Sequence, residues 1–209
     1  MTTFAPTAFS PLRFARAFSV LFVLAGSAAA ATTATAQDAP APTTLVFANT
    51  SVLNVDATSL DLKLGAPPPQ EYPHMNYRSQ VRYEDGARAW AATHFKLTGS
   101  SVNTLRITVQ KGDIVEKLLP VKKGIKGWFT KDQAAEYIAT LELEVAIVDP
   151  NGTVLSTASG KSQATRTVTE GATDADKQQV WTGLIIKTFD NLDAELQPQL
   201  RSAMAQYIR

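Results

Sequence analysis

The feature that most restricts this chain is an apolar stripe near its C-terminus. Trp181, Ile185, Phe189, Leu192, Leu196, Leu200, Met204 and Ile208 recur at intervals of three and four, the period of one face of an α-helix. Thr173 to Asp176 opens the stripe as a capping box, with Asp in the place of the usual Glu. A straight helix of about 35 residues rises about 52 Å, more than a small sheet can cover. Pro198 removes one backbone donor and crowds the Ala194 carbonyl, so the stripe predicts a long C-terminal helix kinked or broken near Pro198. Such a helix needs an apolar surface to lie on.

The preceding segments supply one. Residues 137–148 alternate as a strand, with Tyr137, Ala139, Leu141, Leu143, Val145 and Ile147 on one face and Thr140, Glu142 and Glu144 on the other. Asp149-Pro150-Asn151-Gly152 makes a turn, because Pro presets φ and Asn-Gly tolerates positive φ. Residues 153–168 return as the partner strand. Their small residues Ala158, Gly160, Ser162 and Ala164 share a face on which a helix can lie close. Residues 104–110 form another one-sided strand, on Leu105, Ile107 and Val109. It is followed either by a tight hairpin or, preferably, by continuation through a bulge at Gly112 to residues 114–119. Upstream, residues 45–55 read as a strand and residues 65–73, with Pro67-Pro68-Pro69, as a loop. Residues 84–97 read as a short helix carrying Ala87, Trp90, His94 and Leu97 on one face and stopped by Gly99, with Gly86 weakening its first turn. The resulting fold class is α+β: a mostly antiparallel sheet of about four to five strands, packed by a short helix and a long, Pro-kinked C-terminal helix.

The N-terminus predicts export. Arg13 and Arg16 precede an apolar run over residues 17–31, centred on Val20 to Leu24, and Ala34-Thr35-Ala36 offers a cleavage site before Gln37. The run is shorter than the roughly 20 residues of a spanning helix, so a cleaved signal peptide fits better than a retained anchor. The separated arginines do not match a twin-arginine signal. The organisation expected is a signal peptide over residues 1–36, a linker over 37–44 and one domain over 45–209, with the mature chain periplasmic and free of a transmembrane anchor.

Composition narrows the chemistry. There is no cysteine, which excludes thiol catalysis, thiolate metal sites and a lipidated N-terminal Cys. With 20 Lys+Arg against 19 Asp+Glu, the chain has no global field to draw in nucleic acid. The two histidines, His74 and His94, carry no ligand spacing, and no G-x-S-x-G or phosphate-binding loop occurs. His94 reads as a satisfied, half-buried side chain. Glu142 and Glu144 are neighbours on one strand face, in the position of an acid/base pair but better read as a solvated face. Arg166 is placed to form an exposed ion pair at the sheet end. No catalytic residue, cofactor or metal ligand is assigned.

One segment stands out. Residues 120–131 gather Lys122, Lys123, Lys126 and Lys131 around the adjacent Trp128 and Phe129. Either Trp128 or Phe129 plugs the edge of the core, or Lys122, Lys123, Lys126, Trp128 and Phe129 form an exposed finger that contacts an anionic partner, a lipid headgroup or another envelope protein.

Trp90, Val115-Glu116 before Leu118, Gly124 to Phe129, Tyr137, the Asp149–Gly152 turn, Arg166-Thr167-Val168 before Glu170, and Trp181 together form a pattern over residues 45–208. It resembles a family of exported bacterial envelope proteins without an assigned activity. More distantly, the element order is similar to the auxiliary lipoproteins of ABC-type transporters and to the lipopolysaccharide-assembly lipoprotein. The resemblance implies two helices against a small sheet and a role in binding rather than catalysis. This chain departs from those lipoproteins in lacking the lipidated cysteine. The function expected is that of a non-enzymatic periplasmic accessory protein binding an envelope protein or lipid component. A small-ligand module, with its pocket between the C-terminal helix and residues 158–164, is second, and an enzyme third. The sequence decides neither the partner nor the oligomeric state.

Overall fold

The computed structural model describes residues 44–120 and 133–209. The expected signal peptide lies outside them, as do Lys122, Lys123, Lys126, Trp128 and Phe129. The described elements run β1 (Leu53–Val55), β2 (Ser59–Leu64), α1 (Tyr83–His94), β3 (Phe95–Leu97), β4 (Thr104–Leu118), β5 (Gln133–Val148), β6 (Val154–Thr169) and α2 (Asp174–Ala203).

The main sheet is mixed, with order β2-β4-β5-β6. β4/β5 and β5/β6 are antiparallel as expected, whereas β2 runs parallel to β4. A second sheet pairs β1 with β3, also in parallel. Both parallel pairs have one cause. The chain passes through α1 between β2 and β4 and between β1 and β3, and a crossover of that kind returns the strand in its original direction. The expectation of a mostly antiparallel sheet missed this because β1, β2 and β3 are too short to show a period.

Three boundaries differ from the sequence reading. The expected strand over residues 45–55 narrows to Leu53–Val55, because the preceding backbone is held by α2 instead of a neighbouring strand. Asp190 accepts from the Ala48 amide at 2.8 Å, and Asp193 accepts from the Asn49 side-chain amide. Helix α1 ends at His94, not Leu97, since Phe95 turns extended (φ −124°, ψ 132°) and joins β3. Gly99 therefore stops no helix; its φ of +70° serves the turn after β3, where its amide donates to the Ala57 carbonyl at 3.0 Å. Finally, α2 runs without a break through the exposed Pro198 to Ala203 and is followed by a 3-10 turn at Ala205–Tyr207.

β4 is a single strand. Its register with β5 shifts between Val109 and Lys111, which makes Gln110 the bulged residue and not Gly112 as expected, since Gly112 pairs regularly with Leu141. The bulge changes which residues face inward, from Leu105, Ile107 and Val109 before it to Gly112 and Ile114 after it. Its position also divides the strand's free edge. β2 pairs with the first half, and residues 73–76 close the second. Met75 N donates to Ile114 O at 2.7 Å and Glu116 N to Pro73 O at 2.8 Å.

The core lies between one face of the sheet and the two helices. Trp181, Ile185, Phe189, Leu192, Leu196, Leu200 and Met204 are all at most 1% exposed and meet the inward face of β5 and β6. Each such side chain contributes about 1.5–3 kcal/mol by leaving water. The small-residue face of β6 works as the sequence predicts. A Cβ on Gly160 would stand 2.8 Å from Leu192 Cδ1, and Ser162 Oγ donates to Thr188 O at 2.7 Å. Among the described residues no helix is long and apolar enough to cross a membrane.

Candidate functional site

Close packing of α2 on β6 removes one expected site. The space between the C-terminal helix and residues 158–164 is filled by the Leu192 side chain and by the Ser162–Thr188 hydrogen bond. A cleft occurs elsewhere, between the proline-rich loop after β2 and the start of α1, with a cavity volume of about 370 Å³.

Five stretches of chain build this cleft. β4 lines it with Val109, Gly112 and Ile114 and α2 with Ile185, and of these Val109, Ile114 and Ile185 belong to the buried core. Tyr83, the first residue of α1, forms one wall; Leu64 and the Pro67-Pro68 segment form the opposite one. Gly112 is required for this arrangement. A Cβ there would lie 2.5 Å from Tyr83 Cγ, so only glycine lets the ring rest on the strand. Gly65 plays a similar part in the loop, since a Cβ would stand 2.5 Å from the Gln110 carbonyl at the bulge.

The polar groups of the cleft are almost all committed to the fold. Asn76 uses both ends of its amide, donating to Gly112 O and accepting from Ile114 N, each at 2.9 Å. Ser79 Oγ donates to Val81 O at 2.7 Å, and Gln70 donates to Pro68 O at 2.9 Å. Tyr83 Oη donates to the Asp113 carbonyl at 3.3 Å, and burial, with a smaller push from the Asp113 charge, holds its phenol far above the usual range. A phenol so placed is neutral at any physiological pH and serves neither as nucleophile nor as base. Glu84 accepts from Arg88 at 2.6 Å. Arg82, exposed at the mouth, differs: its neighbours Arg78 and Arg88 pair with Asp174 and Glu84, but its own guanidinium makes no ion pair among the described residues.

The other candidates are structural. His94 is wholly buried, not half-buried. Nδ1 meets the Trp90 carbonyl at 2.9 Å, and Nε2, 3.5 Å from Asp193 Oδ1, makes no hydrogen bond. Sequence reasoning missed the buried Asp193. It lies on the apolar side of α2, and its partners Asn49, His94 and Gln197 come from three separate segments. His74 sits with Nδ1 2.9 Å from Asp113 Oδ2. Glu142 pairs with Lys161 at 2.7 Å and Glu144 accepts from Gln110 at 3.3 Å. Lys161 holds the Glu142 carboxyl below its usual range, the opposite of what a general acid requires. Arg166 makes no ion pair among the described residues, contrary to expectation, and no group of three metal-ligating side chains occurs among them.

No protein-family model matches this chain. No curated protein matches it either. Among solved structures, a minor lipoprotein from Acinetobacter baumannii aligns at 17% identity over 72% of this chain and 93% of its own, with a TM-score of 0.35. The rare lipoprotein B from Shewanella oneidensis aligns at 16% identity over 71% of this chain and 97% of its own, with a TM-score of 0.36. Likeness at such scores transfers no role to this chain.

Proposed function

We propose that this chain is a non-enzymatic accessory protein of the cell envelope, exported to the periplasm by a signal peptide over residues 1–36, and that it works by binding. The observation that supports binding over chemistry is the cleft beside Tyr83. It has the size of a ligand site, and its Asn76, Ser79 and Tyr83 side chains are spent on holding its own walls. Native mass spectrometry of protein purified from the envelope tests the reading. A retained small molecule that is lost in Ala66→Trp, which narrows the exposed mouth, supports it; an empty wild-type protein that also fails to copurify with an envelope component refutes it.

The basic-aromatic segment extends the same proposal to an envelope partner. Lys122, Lys123, Lys126, Trp128 and Phe129 are proposed to contact an envelope protein or lipid. Replacing Trp128 and Phe129 together by Ala is expected to leave folding intact while abolishing crosslinking in the envelope. Loss of folding instead assigns those rings to the core edge.

A further inference from the structure

We propose that His94 and Asp193 share a buried proton, and that this proton latches residues 44–52 onto the two helices, so that the segment loosens as pH rises above neutrality. Neither side chain lines the cleft, so the proposal stands independently of any ligand.

Geometry places the proton. His94 ends α1 and is wholly buried, stacked on the Trp90 ring with centroids 5.2 Å apart and met edge-on by Phe47 at 6.2 Å. Its Nδ1 lies 2.9 Å from the Trp90 carbonyl. A carbonyl only accepts, so Nδ1 carries a hydrogen and donates it. In a neutral ring Nε2 then presents a bare lone pair. What it faces is Asp193 Oδ1 at 3.5 Å, on a carboxylate that is itself only 2% exposed. Two lone pairs set against each other away from water repel, and one proton between them converts the repulsion into an ion pair. Both carboxylate oxygens accept amide hydrogens, Oδ2 from Asn49 and Oδ1 from Gln197 at 3.2 Å. Such bonds favour the ionised acid, which puts the proton on Nε2 and makes His94 an imidazolium.

The other charges on the surrounding elements are engaged or turned away. On α2, Asp190 accepts from the Ala48 amide at 2.8 Å. On α1, Glu84 and Arg88 pair at 2.6 Å and Asp85 accepts from the Arg82 amide at 2.9 Å. Lys96 of β3 is exposed, and residues 44–52 contain no titratable side chain.

The latch follows from what else touches the pair. Phe47 meets both His94 and, at 5.8 Å, Phe189, while Asn49 donates to the same carboxylate. Losing the proton leaves a buried carboxylate with no cation beside it, and lifting the segment bonded to it admits water. Residues 44–52 have no strand partner, so they open more readily than either helix. An unfolded histidine gives up its proton above about pH 6.5, whereas the folded pair keeps it, so the native state binds one proton more. The stabilisation is therefore whole below that pH and declines as pH rises.

Nitrogen NMR of the imidazole rings in the purified full chain, at about pH 7.5, tests the proton directly; His74→Gln assigns the two rings. Both nitrogens of His94 are expected to be protonated, and a neutral ring overturns the proposal. In Asp193→Asn the same ring is expected to become neutral, a change that altered packing alone does not produce; an imidazolium that persists there overturns the sharing. Urea unfolding should show the folded-to-unfolded ratio of the wild type falling about tenfold per pH unit above neutrality relative to His94→Gln, and parallel profiles overturn the linkage. The ring spectra need no variant at position 94, so they decide even where His94→Gln does not fold. The nuclear Overhauser contact between Phe47 and Phe189 should weaken as the His94 proton leaves; a contact that survives its loss overturns the latch while leaving the shared proton.

Discussion

Gly86 lies in the first turn of α1, where helix propensity alone says that Ala would be better by about 0.8–1.0 kcal/mol. The tertiary structure predicts the opposite sign. A Cβ at Gly86 would stand 2.5 Å from Phe189 Cε2 and 3.1 Å from Ile185 Cγ2, and both side chains are at most 1% exposed. The Phe189 ring has little room to yield, with Phe47, Trp90 and Tyr83 centred 5.8, 6.1 and 6.4 Å away. Overpacking a site of this kind costs about 1–3 kcal/mol, and a caged ring places it in the upper half of that range. After the propensity gain, Gly86→Ala should destabilise by about 1–2 kcal/mol. Gly183 in α2 is the matched control. There the nearest atom to a new Cβ is the flexible end of Arg166, at 3.8 Å, so Gly183→Ala should gain most of the propensity term. Urea unfolding followed by circular dichroism reads both, as shifts of midpoint in opposite directions at constant slope. A Gly86→Ala protein more stable than wild type would refute the argument that α1 and α2 meet in contact at Gly86.

Three further predictions follow from single sites. Asp193→Ala should cost about 1–2 kcal/mol by leaving the part-buried amide donors of Asn49 and Gln197 without their acceptor, and should expose residues 44–52 to limited proteolysis; an unchanged digestion pattern would show that this carboxylate does not hold the segment. Thr173→Ala removes the side-chain oxygen that accepts from the Asp176 amide at 3.2 Å and should cost about 1 kcal/mol, read by thermal unfolding, with no loss contradicting the capping geometry. Asp149 accepts from the backbone amides of Thr153 and Asn151 at 2.8 and 2.9 Å, which lowers its pKa, the Thr153 contact contributing most. Because the folded value lies below the unfolded one, the turn's contribution is complete above the usual carboxylate range and is lost as pH falls through the folded value; an NMR titration midpoint at or above 3.8, the ordinary Asp value, would contradict this.

The largest elements were legible because each is long enough to repeat its own pattern. The α2 stripe names seven of the buried side chains that close the core, and the alternation of 137–148 predicts the inward face of β5. The Asp149–Gly152 turn was equally plain, since Gly152 adopts φ +88° as an Asn-Gly turn requires. Short elements left no such trace. β1 and β3 have three residues each, and their pairing exists only because α1 returns the chain beside itself.

The cleft was illegible for a related reason. Its walls and mouth come from segments that periodicity treats separately, and the role of Gly112 depends on a tyrosine 29 positions upstream whose ring lies against it. Sequence alone determined which segments are helical or extended over long runs, which face of each is apolar, and that thiol chemistry is absent. Only the tertiary structure decided strand direction, the filled space beneath α2, the burial of Asp193 and the place of the cleft. Local preference is set by neighbours along the chain, whereas cavities, buried charge and strand order are set by which distant surfaces meet.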